Sequence, residues 1–399
     1  LFPYTTLFRS RKRRVANDWG RTGHGTHVAG VAAAPLNGVG VVGVAPGRAR
    51  AAPVMPVQIA DRDGRSTDET MMDGIRWAVR HGARVVNISA GGPGFSRAFQ
   101  RTVDWAFANG ALIVASVGNE GRDVNSLNYP AAYAHVLGVG AQCDGEATPP
   151  DCPRPYGVAR FTNHNRSLDV IAPGVGILSS VPERVTENRV ARGYAIKDGT
   201  SMAAPYVAGV AALVFGANPE ASPYQVMRQI ENTATDIGRR GRDDDSGYGI
   251  VNPEAAVTQP LPADDPGEAN DDIPSVARRT SLKASRTLSV VEARVDRHDD
   301  PDDVYPIYLR AGDRIRASVD HGPGLLNLYL WRPRTRTVST TVRGNVRRNL
   351  LAFAGVPGAR RQAIAVTVRR SGRHYLNVFA RRGGSRYTLK IAVSPARAR

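Results

Sequence analysis

From Val15 to about Val257 the chain alternates between two kinds of segment. Apolar runs such as Arg84-Val85-Val86-Asn87-Ile88-Ser89 and Ala111-Leu112-Ile113-Val114-Ala115 predict short strands buried on both faces. Between them, Asp68 to His81 and Ala98 to Asn109 read as helices. Ser222-Pro223 ahead of Tyr224 to Glu231 predicts a helix start, because the serine can cap and the proline lacks only an N–H that a first turn leaves unbonded. The alternation predicts an α/β unit, a parallel sheet flanked by helices.

Further along, the period changes to two. Ile315, Ala317 and Val319 alternate with Arg314, Arg316 and Ser318; Leu326, Leu328 and Leu330 repeat the pattern. So do Ile364, Val366 and Val368, then Tyr387, Leu389, Ile391 and Val393. Turns bearing glycine and proline separate these runs, which predicts a small all-β sandwich, antiparallel throughout. Between the two regions, Gln259 to Ser275 holds four prolines and five carboxylates with no basic residue, the composition of an extended, solvated linker. The expected boundaries are therefore an α/β domain to residue 258, a linker over 259–276 and a sandwich over 277–399. No run of eighteen apolar residues occurs, so no membrane span is expected.

Composition sharpens this picture at one point. The net charge of +17 is concentrated at the end: residues 1–279 carry 29 basic and 28 acidic side chains, residues 280–399 carry 24 and 8. A basic sandwich fits an anionic partner such as nucleic acid, a cell-surface polymer or acidic lipid; it equally fits an arginine-rich solvated surface. At the other end, Leu1 to Ser10 match the translation of a sequencing-library adapter and lack the ordered regions of a signal peptide. They are set aside as non-native, with the expectation that the natural chain is cut at about Arg11.

Three motifs carry candidate chemistry. His24-Gly25-Thr26-His27-Val28-Ala29-Gly30 puts a histidine at the mouth of a small-residue helix, where its imidazole can face a cleft; a capping or packed histidine fits the same residues. His27, one turn on, reads as structural, and the spacing lacks the glutamate base of a zinc HExxH helix. Ala115-Ser116-Val117-Gly118-Asn119-Glu120-Gly121 lies at the C-terminal end of a predicted strand, the edge where parallel sheets collect ligands. Asn119 can donate its amide to an oxyanion there, or simply hold a turn. Gly199-Thr200-Ser201-Met202-Ala203-Ala204-Pro205 sets Ser201 at a helix start, beside free N–H groups and the positive dipole end. That suits a nucleophile whose attack creates an oxyanion, and it suits an N-cap as well.

Together and in this order, the motifs closely resemble those of the subtilisin-like serine proteases, the subtilases. Asn87 to Gly92, Val170 to Gly174 and Gly247 to Pro253 agree, so the resemblance covers roughly residues 15–258. It implies a secreted endopeptidase working through an acyl-enzyme, with Ser201 as nucleophile and His24 as general base and then acid. Asn119 and the Ser201 backbone N–H would form the oxyanion hole. Ser89-Ala90-Gly91 and Ser116-Val117-Gly118 resemble the segments flanking bound peptide. Asn128, ahead of Tyr129-Pro130, matches the base of the primary pocket, where some family members have glycine; a shallower, more polar pocket is implied. Protein or peptide substrates and a monomeric enzyme follow from the same likeness.

The family's early-strand aspartate, in a V-x-D-[ST]-G setting, has no counterpart here. Asp18 is the only acidic residue ahead of His24 and sits in a hydrophilic loop, so it is not given the role. The expectation is a catalytic domain over 11–258 lacking its N-terminal strand or strands, weakly active and poorly folded as written. The alternative is a non-catalytic peptide- or surface-binding protein of subtilase fold with a polyanion-binding tail.

Cys143 and Cys152, with eight residues between them in a loop rich in proline and glycine, fit either a disulfide with an extracellular setting or two free thiols. No cofactor is needed for the chemistry, but the family resemblance implies structural calcium. Asn37, Val39 and Val41, in Leu36-Asn37-Gly38-Val39-Gly40-Val41, resemble a loop giving oxygens to such a site, whose carboxylate would lie upstream. Asp243-Asp244-Asp245 reads as a solvated acidic loop. The tail, from Asp303-Val304-Tyr305 through Gly372-Arg373-His374-Tyr375 to Tyr387-Thr388-Leu389, resembles a bacterial pre-peptidase C-terminal domain.

Overall fold

The buried apolar runs do form a parallel sheet in the computed structural model, which describes residues 18–396 apart from 19, 47–52, 62, 146–150, 266, 277–280, 284–288, 298–299, 341 and 343. The adapter-like segment and the proposed break at Arg11 lie outside the described residues. Two units divide the chain, Leu1–Asp264 and Asp265–Arg399.

In the first unit, α1 (His24–Ala33) and α2 (Asp68–Arg80) precede β1 (Val85–Ile88), α3 (Arg97–Ala108), β2 (Leu112–Ser116) and the single turn α4 (Gly121–Val124). Then come β3 (Val136–Gln142) and β4 (Val170–Pro173), and the four strands lie parallel in chain order. A small antiparallel sheet, β5 (Ile177–Ser180), β6 (Arg189–Ala191) and β7 (Tyr194–Lys197), follows. The unit closes with α5 (Thr200–Ala217), α6 (Pro223–Thr233) and α7 (Pro253–Thr258).

Local chemistry sets several of these ends. Ser222 accepts from the Gln225 N–H and Gln225 answers at the Ser222 N–H, a capping box with Pro223 in the first turn, as predicted. Thr67 and Thr70 do the same for α2, and Ser96 caps α3. The apolar sides of α2 and α3, with Ile75, Phe99 and Val103, bury against Val86, Ile88, Ile113 and Ala115 of the sheet. Helix α5 packs against all four parallel strands. By length and composition it alone, among the described residues, could cross a bilayer, yet 67% of it is buried inside the unit. A helix apolar all round is what a core position requires.

Cys143 and Cys152 are disulfide-bonded at the end of β3, with Cα atoms 5.7 Å apart. Closing so short a loop restricts the unfolded chain by about 2–3 kcal/mol. Replacing both cysteines with serine should lower unfolding stability by that amount, measured by urea titration; an unchanged midpoint would show that the crosslink does not act through the unfolded state.

The second unit contains α8 (Ile273–Val276), β8 (Ser289–Asp296), β9 (Asp302–Leu309), β10 (Arg314–His321) and β11 (Leu325–Trp331). After them come α9 (Asn345–Asn349), β12 (Leu350–Ala354), β13 (Arg361–Thr367), β14 (Gly372–Arg382) and β15 (Gly384–Ser394). Two antiparallel sheets result, ordered β13-β10-β15-β8 and β12-β11-β14-β9. Ile315, Val319, Leu389 and Ile391 of one sheet share a core with Leu328, Leu330, Leu376 and Val378 of the other.

Two differences from the sequence-based expectation have one cause. Strands β9 and β14 carry no clean alternation because both their faces are covered: Val304, Tyr329, Trp331 and Tyr375 pack under Ile273 and Val276. For the same reason residues 265–276 are not the extended, solvated tether predicted from their prolines and carboxylates. Asp265, Asn270, Ile273 and Val276 are buried, and the segment belongs to the second unit.

Candidate active site

Strands β1 and β2 are parallel neighbours with Val85 opposite Leu112. Ser89-Ala90-Gly91 and Ser116-Val117-Gly118 therefore leave the sheet at the same carboxyl edge, where α/β sheets bind ligands. Asn128 is brought against both segments. Its Nδ2 donates to the Ser116 carbonyl at 3.0 Å, and a β-carbon on Gly91 would lie 2.6 Å from that same nitrogen. The amide fills space that glycine at 128 would leave open.

Ser201 is the second residue of α5, whose N-cap is Gly199 with φ 141°. The Ser201 hydroxyl donates to the Ser89 carbonyl at 3.3 Å, and the Ser89 hydroxyl donates to the Ser201 carbonyl at 2.8 Å. Asn119 is held by its oxygen: Oδ1 accepts from the Thr200 N–H at 2.9 Å and from the Thr200 hydroxyl at 2.8 Å. That fixes which end of the amide faces away from α5. A β-carbon on Gly199 would sit 3.4 Å from Asn119 Nδ2 and 3.7 Å from the Ser201 nitrogen. Two N–H donors thus flank one small space, which any side chain at 199 would fill.

His24 opens α1, half-buried, and α1 packs on α5 through Met202 against Val28 and Ala32. Burial, with His27 and Lys197 nearby, pushes the His24 imidazole down to about 3. His27 is fully buried and its Nε2 meets the Ile177 and Ala195 carbonyls at 3.0 and 3.2 Å. Desolvation pulls it down to about 4 although both carbonyls oppose the shift. It pins α1 to the small β5–β7 sheet, a structural role.

Asp18 is committed elsewhere. Its Oδ2 accepts from the Thr26 N–H at 2.9 Å and the Thr26 hydroxyl at 2.8 Å, and its Oδ1 accepts from the Gly20 N–H at 3.1 Å. The carboxylate tethers the first turn of α1. No other aspartate ahead of His24 exists in the sequence to face the imidazole.

Asn37, Val39 and Val41 line a cleft of about 330 Å³ together with Thr26, Val54 and Tyr194. Asn37 Oδ1 already accepts from the Val39 N–H at 3.0 Å, and none of the described lining residues is a carboxylate. One engaged amide oxygen and backbone carbonyls fall short of calcium's roughly six to eight oxygens, so these residues do not by themselves make the implied site. Asp243 closes its own loop by accepting from the Asp245 and Ser246 N–H groups at 2.9 and 2.8 Å, while Asp245 pairs with Arg122 at 2.9 Å.

Two positioning features were not anticipated from sequence. Thr200 orients Asn119, a role hinted at only by its place beside Ser201. Asn163 clamps the turn after Asn119, donating to Glu120 Oε2 at 2.6 Å and accepting from the Glu120 N–H at 2.9 Å. Nothing in the local pattern marks Asn163, which is 43 residues away.

A helix-start serine beside two convergent N–H donors, at the carboxyl edge of a parallel sheet, is the arrangement of an α/β serine hydrolase. The subtilase family profile matches residues 10–249, and the chain belongs to that family of subtilisin-like serine endopeptidases. Fervidolysin of Fervidobacterium pennivorans is 41% identical over 255 residues, covering 60% of this chain and 35% of its own length. Subtilisin BL of Lederbergia lenta is 40% identical over 235 residues, covering 59% and 77%. The crystal structure of fervidolysin, described as a keratinolytic enzyme related to subtilisin, superposes with a TM-score of 0.57 at 25% identity. That superposition covers 88% of this chain and 61% of the other. The chain spans about a third of the length of fervidolysin and 55% of the M-protease of Shouchella clausii.

Proposed function

We propose that this chain is an extracellular serine endopeptidase that hydrolyses peptide bonds through an acyl-enzyme on Ser201. The convergence of Asn119 Nδ2 and the Ser201 N–H on one space carries the reading. An extended substrate pairs with the backbone of Ser89-Ala90-Gly91 and Ser116-Val117-Gly118. Ser201 Oγ attacks the scissile carbonyl while His24 takes its proton. The two donors stabilise the oxyanion, His24 passes the proton to the leaving amine, and water then releases the acyl group. The disulfide supports an oxidising, extracellular setting.

The sequence has no V-x-D-[ST]-G segment ahead of His24. In subtilisin, loss of the catalytic aspartate alone lowers turnover by about 3 × 10⁴, so weak activity is expected of the chain as it stands. Fluorophosphonate labelling of the folded protein tests the proposal. Label at Ser201 supports it, whereas a folded protein that takes no label leaves the peptide-binding alternative.

The position of Asn128 supports a shallow, polar primary pocket. Leucine and glutamine P1 substrates should match or exceed phenylalanine, and Asn128→Gly should raise the relative kcat/KM for phenylalanine about tenfold or more. A strong phenylalanine preference in the parent protein would rule this out.

The second unit is proposed to bind an anionic surface polymer. Arg314, Arg316, Arg361 and Arg386 are exposed on one sheet, where Asp320 pairs with Lys390 at 2.7 Å and with Arg361 at 3.5 Å and so offsets only part of the charge. Retention on heparin should fall steeply with added salt; retention indifferent to salt would exclude the charge as its cause.

A further inference from the structure

Lys197 ends β7, two positions ahead of Gly199, the N-cap of α5. Side chains alternate along a strand, and here Ala195 is fully buried, Ile196 is exposed, and Lys197 is half-buried on the face of Ala195. That face meets the start of α1. Ala195 packs with Val181 and Val185, and a β-carbon on Gly23 would lie 2.9 Å from Val185. Across the ladder Lys197 is opposite Ile177, which packs against Val28 and Ala32 of α1. The ammonium is thereby directed at the turn that carries His24.

Among the described residues no carboxylate pairs with Lys197. The adjacent Asp198 accepts from the Gly176 N–H at 2.6 Å. Burial is the larger cause holding the His24 imidazole down, and the Lys197 charge adds to it. A base that becomes an imidazolium on taking the Ser201 proton is opposed by a cation at its side.

The place of Lys197 along the sheet decides which half of a substrate can reach it. Strands leave the carboxyl edge in the order β1, β2, β3, β4. Ser89-Ala90-Gly91 and Ser116-Val117-Gly118, which take the acyl half, follow the first two. Gly199 is tied to the last, its N–H donating to the Gly174 carbonyl at 2.8 Å. Lys197 therefore lies past Ser201, where the leaving half emerges.

We propose that Lys197 determines specificity by pairing its ammonium with an acidic side chain in the leaving half, one or two residues beyond the scissile bond. This rests on the acyl-enzyme reading above and adds a substrate class to it. The substrate carboxylate neutralises the cation beside His24 and sets negative charge near the nascent imidazolium. The sequence has no V-x-D-[ST]-G segment ahead of His24 to supply that charge.

The test measures kcat/KM on quenched peptides that differ only in carrying aspartate or lysine at the first two positions after the scissile bond. An activated ester, which has no leaving-half residue, is hydrolysed in parallel. Aspartate peptides should exceed lysine peptides by at least about tenfold, the size of a charge-assisted pair. Lys197→Met should abolish that ratio by slowing the aspartate peptides, and Lys197→Glu should invert it. The ester should react faster with Lys197→Met than with the parent, because there only the repulsion is lost. A merely structural lysine would not move the two substrates in opposite directions. Equal rates for both peptides, with the ester still hydrolysed, would overturn the inference and leave the Ser201 chemistry standing. An aspartate preference that survives in Lys197→Met would also overturn it, moving the selection to Arg154 and Arg160 in the cleft beyond Asn119. Failure of ester and peptides alike would remove the Ser201 reading and this one with it.

Discussion

Ser201→Ala should abolish fluorophosphonate labelling and lower peptide hydrolysis by roughly 100-fold in this chain, far less than the same change costs in a complete triad. The reason is that triad members act as a unit. In subtilisin, removing the serine alone costs about 2 × 10⁶ in turnover and removing the aspartate alone about 3 × 10⁴. The sequence holds no V-x-D-[ST]-G segment ahead of His24, and on the proposed mechanism a chain without that aspartate has only the remaining ratio, about 70, left to lose. Single-turnover hydrolysis of an activated ester by parent and variant measures it. A loss near 10⁶ would mean that His24 is already fully supported, and that an acidic partner had been overlooked. No loss at all would remove Ser201 from the chemistry.

Asn119→Ala should lower kcat by about 100- to 1,000-fold with KM nearly unchanged. On the proposed mechanism its Nδ2 meets the charge that develops on the carbonyl oxygen, so the lost interaction belongs to the transition state; the magnitude is that known for the oxyanion-hole asparagine of subtilisin. Thr200→Val should act in the same direction but more weakly, by about tenfold or less. It removes the 2.8 Å hydroxyl bond that orients Asn119 and leaves the 2.9 Å backbone bond in place. Steady-state kinetics on one peptide substrate decides the matter. If Asn119→Ala mainly raised KM, the asparagine would be a ground-state binding group instead.

Much of the first unit was legible because its signals are local. A serine two places before a helix interior, with proline next and glutamine at the third position, specifies a capping box wherever it occurs. Runs such as Val85–Ile88 and Leu112–Ser116 are too apolar to lie anywhere but in a covered sheet. The sandwich was legible where one strand face meets solvent, as with Arg314 and Arg316 beside Ile315 and Ala317, and illegible where α8 covers the second face.

The sequence by itself determined the order of strands and helices, the helix starts and the motifs that place Ser201, His24 and Asn119 on particular elements. Spacing and side-chain chemistry within a few residues suffice for these. Only the tertiary structure decided what each group does on arrival. It turned the Asn119 amide by way of a threonine 81 residues distant, spent Asp18 on the first turn of α1, and buried His27 against two carbonyls. It also gathered Glu268, Asp300 and Asp303 from separate stretches into one cluster. Hydrogen-bond direction and the cost of burying charge depend on which segments the fold makes neighbours, and no local pattern encodes that.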